Sequence, residues 1–496
     1  MKLSHSSLIT KRKSSNTFFL LLIIFFCGLL FSCNSDSAAA NEDKSSSGNG
    51  SEISANIKVK VNGFTSGQAG LIATFGDQNY KIDTASIDVQ GRFEFKKPDG
   101  YPFGSYFVIL PDKNYFQILI DKDQKFELET TASDLVNGMK VNGSTENAAL
   151  YESLTYEQST NPQLSEVTQK MVGLDPNSTE YSTLKKSQDQ LMNERKEHLN
   201  NLFKKYPNTL FTSFKRAGQN PDIKEVYFSD GTKNTQAQIR LYREEFWDGV
   251  DINDDRLMQT PVIYNKLNRY ITELTPQQPD SLKKSIATLI DRAPLNSEIF
   301  KFFVNWIALK YEPTKTTLMD SEAIYVFMVE NYITKEKAFW ADAAQIQGLQ
   351  LRASEMANSL IGQKGPDVNA PSTDGSLKSI YDISSPYIVV YLYNPDCDHC
   401  QEETPKLVDF YRQWKPRGLE VFAIAIDTDD TQWKNFIREN NMDWINVFDP
   451  TNKSIYAKYY VDNTPEIYVL NPERKIIAKN LKVHQIETMI NRDMAN

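Results

Sequence analysis

The stretch PYIVVYLYNPDCDHC, residues 386–400, decides the fold of the last part of this chain. From Tyr387 to Tyr393 every position is apolar or aromatic, the pattern of a strand buried on both faces of a sheet. The run breaks at Asn394 and Pro395. Two thiols follow, Cys397 and Cys400, with His399 between them and acids at Asp396 and Asp398. A close pair of cysteines admits three readings: a redox couple, part of a metal site, or leftover core thiols.

The surroundings bear on that choice. EVFAIAID, 420–427, is a second apolar strand, and helical patterns occupy 399–414 and 431–440. EIYVLN and KIIAKN flank the turn residues PER as a hairpin, and a terminal helix follows from about His484. The order β, α, β, α, β, β, α predicts a mixed sheet with helices on both sides. In that frame Cys397 stands where a strand ends and a helix begins. Free N–H groups and the helix dipole there favour an anion, and can lower a thiol pKa from about 8.5 toward 3.5 to 7.5. Cys400, one helical turn on, is placed to close a small disulfide ring.

These residues resemble the thioredoxin superfamily, in particular the membrane-anchored thiol-disulfide oxidoreductases of the TlpA and ResA type. Over about 360–496 the resemblance rests on CxxC after a buried strand, on GPDVNAP at 365–371, on Pro405 inside the helix, and on NTPEIYVLN at 463–471. It implies a thioredoxin-like fold in which Cys397 attacks a client disulfide and Cys400 resolves the mixed disulfide. It also implies that Thr464 and a cis Pro465 flank the thiols and hold a client strand. Glu403 matches a helix glutamate of the ResA type that would manage the Cys400 proton, and it fits equally an ordinary helix carboxylate. His399 is similar to the dipeptide histidine of DsbA-type proteins, which stabilises the thiolate, while Asp398 opposes it. Asp396 and Asp398 also fit as helix caps. Two positions depart from the family: Asp396 stands where Trp is usual, and Tyr391 replaces the buried strand acid. The dithiol carries the electrons itself, so no cofactor and no metal are expected.

At 496 residues the chain is long enough for about three domains. Its net charge is −9, with both signs interspersed and no basic blocks, so nucleic acid is not an expected partner. The amino terminus carries KRK at 11–13 and an apolar run from Phe18 to Phe31, too short for a spanning helix and fit for a signal peptide. It ends in LLFSC, which resembles a bacterial lipobox and implies acylation at Cys33. Residues 1–33 then form a lipoprotein signal peptide, and 34–53, small and polar, form a flexible tether. The expected location is the cell envelope: lipid-anchored to a membrane, with the outer membrane favoured, facing the periplasm or exposed at the surface. Cys397 and Cys400 are then the remaining thiols of the mature chain.

Between tether and thiols lie two further regions. Residues 54–145 show short alternating runs such as IKVKV and DVQGRFEF, the latter read as two strands around a Gln90-Gly91 turn, and predict an antiparallel β-sandwich. Residues 146–357 show helical stripes, among them Ile299, Phe302, Phe303, Trp306 and Ile307, and predict an all-α domain. Residues 358–496 make the α/β thioredoxin-like domain. Both front regions resemble segments found ahead of thioredoxin-like domains in lipoproteins of Gram-negative anaerobes. Expected partners are protein thiols and disulfides as clients and a redox partner in the envelope. Three alternatives remain: a binding or scaffold lipoprotein whose front domains hold a partner, a copper(I) carrier, and a peroxidase. The last would want Thr or Ser and Pro where Asn394 and Val390 stand.

Overall fold

The computed structural model describes residues 54–316, 318–450 and 458–495. The expected signal peptide, lipobox Cys33 and tether lie outside these residues. No helix among the described residues is long and apolar enough to cross a membrane.

The first region carries β1 (Ala55–Asn62), β2 (Gln68–Phe75), β3 (Gln78–Ser86), β4 (Arg92–Lys97), β5 (Gly104–Ile109), β6 (Tyr115–Ile120), β7 (Lys125–Thr131) and β8 (Lys140–Asn142). They pair as two sheets, β4-β1-β7-β8 and β3-β2-β5-β6. The two-residue period does what it should: Ile57, Val59 and Val61 point inward and join side chains of the other sheet in one core. The pairing is not wholly antiparallel, because β1 runs parallel to β7. That register sets Lys58 beside Glu127 and Lys60 beside Glu129, each pair 2.9 Å apart. The turn expected at Gln90-Gly91 is present, and it carries the chain from one sheet to the other, since β3 and β4 belong to different sheets. The Asp88 carboxylate accepts from the N–H groups of Gln90 and Arg92, and Gly91 has φ 76° with Val61 O only 2.3 Å from where a Cβ would stand. A local turn signal identifies the bend and not which sheet the chain enters next.

Helices follow: α1 (Thr145–Met171), α2 (Thr179–Lys205), α3 (Leu210–Ala217), α4 (Thr235–Glu245), α5 (Pro261–Arg269), α6 (Pro279–Ile290), α7 (Glu298–Lys310), α8 (Glu322–Tyr332) and α9 (Ala343–Ala357). The boundary expected at 145/146 does not separate two cores. Ala149 and Leu150 of α1, Leu199 and Leu202 of α2, and Leu210 and Phe211 of α3 pack into the β-sandwich core. Asn147 exchanges two hydrogen bonds with the Leu119 backbone of β6, at 2.9 and 2.8 Å. The buried Glu146 carboxylate accepts from Leu210 and Phe211 N–H, capping α3. The remaining helices enclose a second core around Trp247, Phe300 and Phe303. In α6 the spacing of Leu282, Ile286, Leu289 and Ile290 predicts one apolar face, and all four are buried. In α7 the buried face is turned from the expected stripe: Phe300 and Val304 are buried, whereas Phe302 and Trp306 are half-buried at its edge.

The last region holds β9 (Asn369–Pro371), β10 (Leu377–Ser379), β11 (Tyr387–Tyr393), α10 (Asp398–Trp414), β12 (Leu419–Ala425), α11 (Asp430–Asn440), β13 (Ile445–Val447), β14 (Glu466–Leu470), β15 (Ile476–Lys479) and α12 (Val483–Met494). Its sheet has the order β13-β12-β11-β14-β15, with β11 parallel to β12 and antiparallel to β14. Helices were expected on both faces. Of the described helices, α10, α11 and α12 all pack on the face of Tyr391 and Tyr393. The other face is covered by Val368, Ala370, Ile380 and Tyr459 among the described residues. The central position of β11 matters for chemistry. Its carboxyl end, where the cysteines leave the sheet, lies beside the start of β14, where Leu392 pairs with Glu466.

Candidate redox site

The site is assembled from two chain segments that the β11–β14 pairing brings together. On the first, the Asn394 side chain accepts from Asp396 N–H at 2.8 Å and its carbonyl from Cys397 N–H at 3.1 Å, closing the turn after β11. Cys397 is the residue preceding the first turn of α10, in extended conformation and half-buried. Cys400 lies one turn along and is fully buried. Both are thiols, not joined to one another. On the second segment the Thr464–Pro465 peptide is cis. Cys397 Sγ donates to the Thr464 carbonyl at 3.2 Å.

The two thiols are placed to do different things. Burial resists ionisation of Cys397, but the Thr464 side chain, the Cys400 thiol and the N–H groups of Cys400 and His399 outweigh it and hold the thiol below its ordinary range. Cys400 is pushed up to about 12, by burial first and also by the neighbouring Cys397. One sulfur is thus half-exposed and ready to ionise while the other keeps its proton.

Other expected residues are distributed around this pair. The His399 side chain is exposed, and its backbone N–H is the part that faces Cys397. Asp396 is exposed and accepts from Gln432 Nε2 at 3.2 Å. Glu403 has one oxygen on Lys406 Nζ at 2.8 Å and the other on the Val483 N–H at 3.2 Å, at the start of α12. Burial raises the Glu403 carboxyl, but Lys406 and this N–H prevail and keep it below the usual range. These partners, and not the Cys400 thiol, hold its two oxygens.

Tyr391 fills the position of the missing strand acid. The Thr404 hydroxyl donates to Cys400 O at 2.7 Å, so at the 2.8 Å contact between them the Tyr391 hydroxyl must be the donor to Thr404. Burial keeps this phenol far above its ordinary value. Tyr391 therefore packs and hydrogen-bonds the helix under Cys400 rather than supplying a base. Two polar residues at the site went unnoticed in the sequence. Thr404 looks like any helix threonine. Glu466 sits in an otherwise apolar strand next to Pro465 and is buried. An acid inside such a run was the available signal.

A cleft of about 480 Å³ adjoins the cysteine turn, lined by Pro395, Asp396, Gln401, Gln432 and Asn435. A larger concavity of about 930 Å³ lies on the β-sandwich over the Lys58 and Glu127 strands and includes none of the thiol-site residues. Among the described residues no group of three or more His, Cys, Asp or Glu side chains is placed to hold a metal ion.

Comparison with known proteins finds relatives of the region that carries these thiols. Residues 361–479 match the AhpC/TSA family, and residues 53–150 match a family described as Domain of unknown function (DUF4369). The thiol-disulfide oxidoreductase ResA of Bacillus subtilis is 22% identical over 116 residues, 23% of this chain and 64% of that protein. The ResA of Oceanobacillus iheyensis is 22% identical over 138 residues, 26% of this chain and 71% of that protein. The chain thus spans a little under two thirds of the Bacillus subtilis protein. Among solved structures, a thioredoxin-like protein from Bacteroides caccae aligns over 55% of this chain and 98% of its own, with 19% identity and a TM-score of 0.43. A domain of a possible thiol-disulfide isomerase from Cytophaga hutchinsonii covers 27% of this chain and 94% of its own, with 31% identity and a TM-score of 0.26. The carboxyl-terminal region is a thioredoxin-like domain of the AhpC/TSA type, with homologues named thiol-disulfide oxidoreductases.

Proposed function

We propose that this protein exchanges disulfides with protein clients through Cys397 and Cys400, from a lipid anchor at Cys33 that holds it in the cell envelope facing the periplasm. The observation that carries the reading is the asymmetry of the pair: a half-exposed thiol held low at a helix start, beside a buried thiol pushed up to about 12. The Cys397 thiolate attacks one sulfur of a client disulfide, forming a mixed disulfide and releasing the other client sulfur as a thiolate. Cys400 then loses its proton and attacks Cys397 Sγ, the second client thiolate leaves, and the released protons restore both client thiols. Two electrons pass to the client and the protein keeps a Cys397–Cys400 disulfide. The reverse sequence oxidises a client. The backbone of Thr464 and Pro465 borders the thiols on the side open to an extended client segment.

The test is to equilibrate the protein with glutathione buffers and quantify the Cys397–Cys400 disulfide. A potential near −270 mV would mark a reductase and one near −120 mV an oxidant. Failure to form the disulfide in any buffer overturns the proposal and brings forward the binding and copper(I) readings.

A further inference from the structure

The loop that faces the thiols is held from outside the thioredoxin-like domain. Arg352 of α9 places Nη2 2.6 Å from Glu312 Oε1 and 3.4 Å from Asp462 Oδ2, and its Nε donates to the Tyr460 hydroxyl at 2.5 Å. Ser359, just beyond α9, donates to the Tyr459 carbonyl at 3.1 Å. The Tyr460 ring packs on the helical core. Tyr459 to Asp462 leads directly into Thr464 and Pro465.

Beyond Pro465 the same loop is tied to a buried acid. The Tyr468 hydroxyl makes a short contact with the Tyr459 carbonyl and lies 2.6 Å from Glu466 Oε1. A phenol has one proton, and a carbonyl can only accept. If Tyr468 donates to Tyr459, the contact with Glu466 needs its proton on Glu466. The chain is then complete in one sense only: Glu466 to Tyr468, Tyr468 to the Tyr459 carbonyl, with Ser359 donating to that carbonyl from the other side. An ionised Glu466 instead competes with the carbonyl for the Tyr468 proton.

Burial of Glu466 favours the protonated arrangement and outweighs the opposing charge of Lys479. Lys479 of β15 acts on it, as do Glu322 at the start of α8 and Asp462 in the loop, and Asp320, just before α8, shares Lys479 and Glu322 as neighbours. Lys479 Nζ lies 3.2 Å from Glu322 Oε1 and 4.0 Å from Asp320 Oδ1, without hydrogen-bond alignment. Asn480 donates to Glu322 Oε1 at 3.0 Å, and Ile361 N–H to Asp320 Oδ2 at 3.2 Å. Lys283 of α6 acts on Asp320 from further out. Glu322, Asp320, Glu466 and Lys479 are all buried. Three buried carboxylates against one ammonium would leave two charges uncompensated, which protons on Glu466 and Asp320 relieve. Burial holds Glu466 at about 8 and Asp320 at about 6.

We propose that protonated Glu466 is a positioning residue of the redox site: through Tyr468 it fixes the Tyr459–Pro465 loop against Cys397, and loss of its proton loosens that loop. The helical region bears on the state of Glu466 through Glu322 and anchors the far side of the loop through Arg352. This inference rests on the redox reading of Cys397, whose reactivity reports the loop.

The test is the rate of iodoacetamide alkylation of Cys397 against pH in the full chain. Wild type is expected to show an inflection between pH 7 and 9 beyond that of one ionising thiol. Glu466→Gln, whose amide still donates but does not titrate, is expected to give a single-thiol curve. Arg352→Met is expected to slow alkylation at pH 7 by roughly threefold or more, since loosening the loop weakens the bond that the Thr464 side chain makes to the thiolate. Superimposable wild-type and Glu466→Gln profiles overturn the proposal. Should Glu466→Gln fail to fold, Tyr468→Phe breaks the same link and must remove the same inflection. Matched thermal midpoints at pH 6 separate positioning from general destabilisation. Alkylation needs no disulfide exchange, so a chain that forms no Cys397–Cys400 disulfide fails the redox reading while this profile still decides the positioning.

Discussion

Cys397 Sγ lies 3.2 Å from the carbonyl oxygen of Thr464, although 67 positions separate the two in sequence. The β11–β14 pairing creates this proximity: it sets the carboxyl end of one strand beside the amino end of the other, so the residues just outside the sheet meet. The Thr464 side chain is the foremost group lowering the thiol, against the burial that raises it.

Thr464→Val keeps the shape and the carbonyl and removes the hydroxyl. Cys397 should then ionise at higher pH, and its alkylation at pH 7 should slow by about threefold to tenfold, the scale of a hydrogen bond to a charged group. An unchanged rate would assign the lowering to the Cys400 thiol and the backbone N–H groups.

Cys397→Ser removes the attacking sulfur and should abolish exchange with any disulfide. Cys400→Ser leaves the attack intact and removes its resolution, so mixed disulfides with clients should accumulate on non-reducing gels. A Cys400→Ser chain that traps nothing while Cys397 still alkylates would contradict the assigned order of attack.

Glu466 and Asp320, held at about 8 and about 6 by burial, make stability depend on pH. Both values lie above the ordinary carboxyl range, so between about pH 4.5 and 8 the folded chain binds more protons than the unfolded one. Their contribution is complete at the acid end of that window and is lost as pH rises through the folded values. The wild-type thermal midpoint should fall by several degrees from pH 5 to pH 8.5, and Glu466→Gln should flatten the slope. A midpoint that climbs over this window would refute the assignment.

Phe303 is fully buried in the second core, with its ring centroid 5.6 Å from that of Trp247. Phe303→Ala should cost about 3 to 5 kcal/mol in denaturant unfolding, from lost transfer energy and the cavity left behind. Gly91→Ala should destabilise by about 2 kcal/mol or more, because an L side chain is disfavoured at φ 76° and its Cβ would strike Val61 O. A loss under half a kcal/mol would mean the crossover relaxes freely.

What could be read from the sequence was local. The unbroken apolar run of β11, the two-residue period of β1 and the face of Leu282 and Ile286 each reveal an element from its own residues. So did the cysteine pair, because a strand end followed by a helix start is a chemical environment in itself. Pairing was less legible. Nothing in IKVKV says that β1 adds β7 in parallel, and a three-residue strand such as β13 is too short to show a period. The α7 stripe was misplaced because aromatic residues satisfy the spacing on two overlapping faces. The setting of Glu466 was equally illegible, because Glu322, one of the charges acting on it, arrives from a distant part of the chain.

The capping of α3 by Glu146 and the stitching of α1 to β6 bear on how such chains are inherited. Recombination that exchanged the strands alone, cutting near residue 145, would strand a sandwich without Leu150, Leu202 and Phe211, and leave α3 without its cap. The sandwich core therefore extends from β1 through α3, and the exposed stretch between α3 and α4 is where a protease can nick the backbone, although Ala217 of α3 also belongs to the second core.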